Sequence, residues 1–147
     1  MKKSTYRNFE WIIINDASTD HSDEIIRHFI SDVDWDITYI SWEQNSGKHI
    51  AWNYAAKIAK GEIFITLDCD DACVPTALEF LNQKWNLYFD DATIYGIDTL
   101  CADPVTNEVC GSQYPVDGIK SDYNELCNKY KVSGEKWNSF RTDYMKR

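Results

Sequence analysis

Positive charge is scarce in this chain, and long apolar runs are missing. Lys and Arg total 15 against 24 Asp and Glu, for a formal net charge of −9. A protein that grips nucleic acid through phosphate contacts needs a basic face, so this balance excludes nucleic acid as a partner. It leaves an anionic small molecule open, because a bound cation can invert the local field. No apolar stretch approaches the ~20 residues needed to span a bilayer, so membrane contact would be peripheral or come from other segments. No second cysteine pair or nearby histidine completes a tetrahedral zinc set around Cys69 and Cys73. His21, His28 and His49 stand outside any metal-like pattern and read as structural or surface groups. There is no internal repeat and no low-complexity linker. Met1-Lys2-Lys3 leads into polar residues rather than a signal-like apolar region. The five cysteines are odd in number and irregular in spacing, which predicts reduced thiols and a cytoplasmic location.

What is present is enough for one domain with a core: 147 residues, 44% hydrophobic and 14% aromatic. Phe9-Glu10-Trp11-Ile12-Ile13-Ile14-Asn15 is a nearly continuous apolar run, as in a buried parallel strand. Asp16-Ala17-Ser18-Thr19-Asp20 supplies turn and cap chemistry, and Ile25, Ile26, Phe29, Ile30 and Val33 follow at helical spacing. Residues 37–42 read as a second strand and 49–59 as a helix stopped by Gly61 at a C′-like position. Residues 63–67 read as a third strand. Pro75 suits N1 of a helix carrying Leu78, Leu81 and Trp85. Residues 93–101 read as a fourth strand, with a turn at 103–107 and a hairpin return at 108–111. Ser121 could cap a short helix over Tyr123, Leu126 and Cys127. Strand and helix thus alternate over the first hundred residues. That predicts an α/β/α sandwich with a mainly parallel central sheet and a ligand crevice at the strands' C-terminal ends.

The stretch Ile63-Phe64-Ile65-Thr66-Leu67-Asp68-Cys69-Asp70-Asp71 sets an apolar strand directly before three carboxylates in four positions. Like charges this close repel, and the arrangement does little for stability. It suits a hard divalent cation, Mn²⁺ or Mg²⁺, which prefers carboxylate oxygens and bridges them to phosphates. An acidic solvated turn is the plain alternative.

Four features recur in order: Asn15-Asp16-Ala17-Ser18-Thr19-Asp20 after a strand, Asn45-Ser46-Gly47-Lys48 opening a helix that carries Asn53, Gly61-Glu62, and Asp68-Cys69-Asp70-Asp71. Together they resemble the inverting glycosyltransferases of family 2 with the GT-A fold. The typical pattern there is D-G-S-T-D, N-x-G, A-x-N, A-x-G-E and L-D-x-D-D. The likeness covers about residues 6–81. A looser match to a G-x-K/R-W-x-x-x-R-T motif lies in Gly134-Glu135-Lys136-Trp137 and Phe140-Arg141-Thr142. The resemblance implies a nucleotide-diphosphate sugar donor, UDP-linked, and a glycan or lipid-linked acceptor. It makes Asp70 the principal metal carboxylate, with Asp68 near the ribose or sharing the metal and Asp71 as alternate ligand. Asp16 would meet the uracil edge and Lys48 the diphosphate, while Ser18, Asp20 and Asn53 complete the nucleotide-sugar pocket. Plain roles stand beside these. Asp16 and Asp20 suit helix capping, Asn53 an exposed helix position, Lys48 a solvated loop and Trp137 core packing.

The resemblance also implies differences. The family's first strand and helix would precede this sequence, leaving an unpaired edge or gap in the sheet. The consequence expected is self-association or disorder over residues 1–9. Ala17 replaces a glycine, which matters only if the backbone there needs φ > 0. No convincing general base follows Asp91. Asp98, Asp103, Asp117 and Asp122 remain by elimination. The expected organisation is one GT-A-like domain, 1–100 binding the nucleotide sugar and 101–147 forming part of the acceptor side, apparently truncated at both ends. The full-length enzyme would touch the inner face of the membrane peripherally. The alternative is a catalytically incomplete fragment that binds nucleotide sugar or serves as a scaffold. A phosphotransferase of the haloacid dehalogenase type ranks last, because Asp70 is followed by Asp71 and Ala72.

Overall fold

Strand and helix alternate as the periodicity predicts, through β1 (Trp11–Asn15), α1 (Ser22–Ser31), β2 (Ile37–Ser41), α2 (Lys48–Ile58), β3 (Ile63–Ile65), α3 (Ala77–Tyr88), β4 (Gly96–Leu100) and the short α4 (Tyr123–Asn128), followed by two elements it does not predict, β5 (Lys136–Arg141) and α5 (Thr142–Met145). The structure, a computed structural model, describes residues 1–147. The α/β class holds, but the sheet differs from the mainly parallel one expected. β1 and β2 form a parallel pair, with Trp11 opposite Ile37 and Asn15 opposite Ser41. The other three strands form an antiparallel sheet in the order β3-β5-β4. The reason is β5. Its mixed sequence Lys136-Trp137-Asn138-Ser139-Phe140-Arg141 lacks the continuous apolar run of β1, so it reads as a motif rather than a strand. It inserts between β3 and β4 all the same. β1 and β3 belong to separate sheets and share no ladder, so the expected gap is present.

The second sheet is covered on both faces, giving three layers. α3 lies on the face of Ser139 and Arg141. There the Trp85 indole N–H donates to Ser139 Oγ at 3.0 Å, and Ser139 Oγ donates onward to the carbonyl of Ile97 at 3.0 Å. Ser139 is fully buried, and both of its roles are satisfied, so this polar residue costs the core little. On the opposite face Phe64 packs with Ala56 and Ala59, and Ile12, Ala55 and Met145 close around them. Only 11 of 147 residues are buried, so the two sheets meet over a thin core and polar clamps carry much of the architecture.

Several local expectations are corrected. α3 starts after Thr76, not at Pro75; the Pro75 carbonyl instead accepts the N–H of Thr5 at 2.9 Å. Asp122, not Ser121, caps α4, accepting the Glu125 N–H at 2.8 Å. Gly61 is not a left-handed helix stop. α2 ends because Ala59 turns extended, and the Glu10 carboxylate captures the N–H groups of Lys60 at 2.5 Å and Gly61 at 2.8 Å. Residues 1–9 lack strand or helix yet are packed: Ser4 is buried, the Tyr6 hydroxyl donates to Asn82 Oδ1, and Lys2 and Arg7 lie over Phe29 and Trp35.

The start of β5 is fixed by a glycine pair. Gly111 and Gly134 both have positive φ, +98° and +82°. A Cβ on Gly134 would lie 2.8 Å from the Cys110 carbonyl and closer still to Gly111 Cα. Lys136 Nζ ties the same loops together through the carbonyls of Ser112, Ser133 and Glu135. Gly134→Ala should therefore cost about 2–4 kcal/mol, from left-handed strain plus overpacking. Urea unfolding checks this, and a loss below about 0.5 kcal/mol, the range of ordinary surface substitutions, would show that the close approach is not needed.

Candidate functional site at the C-terminal ends of β1 and β3

β1 ends in Asn15, which is buried and fully used. Its Nδ2 donates to the Tyr39 hydroxyl at 3.2 Å and its Oδ1 accepts the Ser18 N–H at 2.9 Å. Tyr39 in turn donates to Asp23 Oδ1 at 2.6 Å, and the Arg27 guanidinium holds the other oxygen at 2.8 Å. These bonds draw the Asp23 carboxyl below its usual range, with Arg27 the larger cause. They also fix the turn that presents Asp16.

Asp16 grips the loop before α2. Its two carboxylate oxygens accept the N–H groups of Ser46 at 2.7 Å and Gly47 at 2.8 Å, and its carbonyl accepts Asn45 Nδ2 at 3.1 Å. Gly47 stands at φ +91°, the N-cap position of α2, a conformation that favours glycine. The next residue, Lys48, opens α2 and forms an ion pair with Asp68. That bond raises the Lys48 pKa, and the negative charges of Asp68, Asp70 and Asp71 add to the effect. The ammonium also lies 5.5 Å from the Trp52 ring centroid, one turn along the helix. The chain Asp16–loop–Lys48–Asp68 thus links the acidic groups after β1 and β3.

The acidic turn is anchored from β5. The Trp137 indole N–H donates to the Thr66 carbonyl at 2.6 Å, and the Asp71 N–H closes on the Asp68 carbonyl at 3.1 Å. Carboxylate oxygens of Asp68, Asp70 and Asp71 lie within 4.8 Å of one another. Asp68 is half-buried; Asp70 and Asp71 are exposed. The side chains of Asp70 and Asp71 make no hydrogen bond or ion pair. An all-oxygen, anionic donor set with two unengaged carboxylates fits a hard divalent cation. Burial pushes the Cys101 thiol pKa up, and Glu135 and Asp71 push it further by their charge, so the field of this turn reaches β4's end.

Not every expected residue joins the site. Asp20 is spent on the start of α1, its Oδ1 accepting the Ser22 N–H at 3.0 Å, and its pKa is lowered by Ser22. Ser18 contributes its N–H to Asn15, and its side chain is exposed without a partner. Asn53 is exposed on α2, and its side chain makes no hydrogen bond. Among the base candidates, Asp103 caps Val105 and Thr106, each at 2.8 Å, and Asp122 caps α4. Asp98 accepts from Asn138 Nδ2 at 2.6 Å and lines a cavity of about 450 Å³ with Tyr114 and Lys136. Asp117 lies in an exposed loop. Glu10 was not foreseen as a clamp, and Trp137 serves as a backbone anchor. The signal for Trp137 was its place in the looser motif; nothing marked Glu10.

Ala17 has φ +59°, in the left-handed region. A glycine there removes about 1–2 kcal/mol of strain while the unfolded chain regains part of it in entropy. Ala17→Gly should therefore stabilise the fold by about 0.5–1 kcal/mol in urea unfolding. A destabilised variant would mean that Ala17 packing outweighs its strain.

Residues 1–134 match the family model described as Glycosyl transferase family 2. The teichoic acid poly(glycerol phosphate) polymerase of Staphylococcus epidermidis is 35% identical over 86 residues, 58% of this chain and 12% of that protein. Glycosyltransferase GlyG of Streptococcus pneumoniae is 35% identical over 82 residues, 56% of this chain and 27% of that protein. Glycosyltransferase GlyA of the same species is 34% identical over 90 residues, 61% of this chain and 13% of that protein. The matched segment is thus less than a third of each of these relatives. No helix is long and apolar enough to cross a membrane. With the family match running over nearly its whole length, the chain belongs to glycosyl transferase family 2.

Proposed function

We propose that this chain forms the donor-binding part of a glycosyltransferase. It would transfer a sugar from a nucleoside-diphosphate donor, a UDP-sugar, with inversion, to a glycan or lipid-linked acceptor. The observation that carries this reading is the convergence of the Asp68, Asp70 and Asp71 oxygens within 4.8 Å, beside Lys48 and the loop that Asp16 holds. Asp70, Asp68 and Asp71 would hold Mn²⁺ or Mg²⁺. Such a cation supplies electrostatic stabilisation of a departing diphosphate. Lys48 adds a positive charge on the same side and stands at the N-terminus of α2, whose dipole favours anions.

Asp16 reads the base. Each of its oxygens accepts one backbone N–H and keeps capacity for a second bond. An imide N–H on a pyrimidine edge suits that remaining capacity. Residues 1–100 then act as the donor half and 101–147 as part of the acceptor side. A relative named as a teichoic acid polymerase supports a polymer as the acceptor class. Five free cysteines support work in a reducing compartment, at the cytoplasmic side of the membrane. The open edges of β1 and β3 support pairing with a further strand or a second copy.

A second reading, donor binding without turnover, is favoured by one observation. Asp103 and Asp122 are used as caps, and Asp98 is engaged by Asn138. The caps hold Asp103 and Asp122 to their own turns, one oxygen of Asp98 is taken, and Asp117 stands in an exposed loop with no partner to position it as a base. Transfer of sugar from a UDP-sugar to added acceptor would exclude it.

Two titrations test the donor site. Asp70→Asn should weaken Mn²⁺-dependent UDP binding by about tenfold or more, the order of a hydrogen bond or contact to a charged group, with thermal unfolding unchanged. Binding equal to the parent's would remove Asp70 from the metal site. Asp16→Ala should reduce the preference for UDP over ADP by ~1–3 kcal/mol. An equal loss for both nucleotides would assign Asp16 to holding the loop alone.

A further inference from the structure

Lys48 is the cation nearest the acidic turn, and it is already paired. Its Nζ contacts Asp68 Oδ2, on one of the three carboxylates whose oxygens cluster within 4.8 Å. Building on the donor-site reading above, we infer that Lys48 is an exchangeable counter-ion: its ammonium and a divalent cation compete for Asp68, and the ammonium displaced from Asp68 moves to the donor's diphosphate.

Three observations carry this. First, the competition is at the atom. A metal ion bound to Asp68 Oδ2 and an ammonium in contact with the same oxygen repel each other strongly at such separations. Second, the pair is easily broken. The Lys48 side chain is 55% exposed and that of Asp68 37%, and an ion pair this open to water is worth little. Asp70 and Asp71 remain unpaired, so a single ammonium leaves most of the local negative charge for a divalent ion. Third, the ammonium is on a tether fixed at its root. Lys48 is the first residue of α2, and the loop before it is held by both oxygens of Asp16. The four-carbon stem can swing while its Cα stays beside the site. A diphosphate bridged by one divalent cation retains negative charge, which the freed ammonium balances. Lys48 thus lowers the affinity for metal alone and raises the affinity for metal with nucleotide, favouring the two bound together.

Calorimetric titrations of the parent, Lys48→Met and Lys48→Arg test this, with MnCl₂ alone, UDP alone, and UDP at saturating Mn²⁺. Lys48→Met should bind Mn²⁺ alone about 2- to 10-fold more tightly, the span expected from losing a partly exposed like charge. It should bind UDP in the presence of Mn²⁺ about tenfold or more weakly. Lys48→Arg should move both values back toward the parent. In an Asp68→Asn background, Lys48→Met should no longer improve Mn²⁺ binding. Thermal unfolding of each variant checks that the fold is intact. A Lys48→Met protein that binds Mn²⁺ no more tightly than the parent overturns the exchange, and so does unchanged UDP–Mn²⁺ affinity. A parent that shows no Mn²⁺-dependent UDP binding removes the donor-site reading and this inference with it. A parent that binds while Lys48→Met behaves normally removes the exchange alone.

Discussion

The architecture rests on two carboxylates that bracket one strand. Glu10 stands just before β1 and Asp16 just after it, and each accepts two backbone N–H groups from the chain flanking α2. Glu10 takes Lys60 and Gly61 past the helix's end; Asp16 takes Ser46 and Gly47 before its start. α2 is therefore strapped antiparallel to β1 at both ends. Hydrogen bonds to a charged acceptor contribute about 1.5–3 kcal/mol each, more than neutral ones. That matters because β1 and β3 share no ladder and the buried core is small. The straps, with Ile12 and Phe64 meeting on the alanine face of α2, substitute for strand pairing.

The second sheet solves a related problem from the other side. β3 is only three residues long and is followed at once by a turn that repels itself electrostatically. β5 steadies it. Trp137 holds the Thr66 carbonyl, Ser139 locks to α3 through Trp85, and Arg141 binds the carbonyls of Ile94, Phe89 and Asp91 while lying 4.6 Å from the Phe89 ring centroid. Three alternate residues of one strand thus anchor the turn, the helix layer and the approach to β4. The acidic turn is left with its geometry set by the backbone, with Asp70 and Asp71 uncommitted and Asp68 held only by the exposed Lys48. That division of labour is what a binding site for a hard cation requires.

The same economy separates residues that look alike in sequence. Asp16 and Asp20 belong to one short segment, yet Asp16 reaches across to another loop and Asp20 stays within its own helix start. Asp98, Asp103 and Asp122 are likewise parted by their partners: a cross-strand asparagine, a turn and a helix cap. A carboxylate already accepting short backbone bonds is a poor base, because those bonds favour its charged form. Placement, not residue type, sorts structural acids from those free for chemistry.

The sequence by itself determined the local elements and which residue types gather at the candidate site. Apolar runs and helical spacing are properties of neighbouring residues, so β1, β2, α2 and β3 were legible, as were the three aspartates after β3 and the loop that opens α2. Family membership followed from their order. What only the tertiary structure decided is pairing. β5 could not be read as the central strand of an antiparallel sheet, because strand partners lie far apart in the chain, Phe64 opposite Phe140 and Ile97 opposite Ser139. The partners of Glu10, Trp137 and Lys48 were equally hidden, since each acts on an atom 20 or more residues away. The left-handed Ala17 was legible only as a question that the backbone answered. Periodicity reports which way a side chain faces within its own element; which distant group it meets is fixed only when the elements pack.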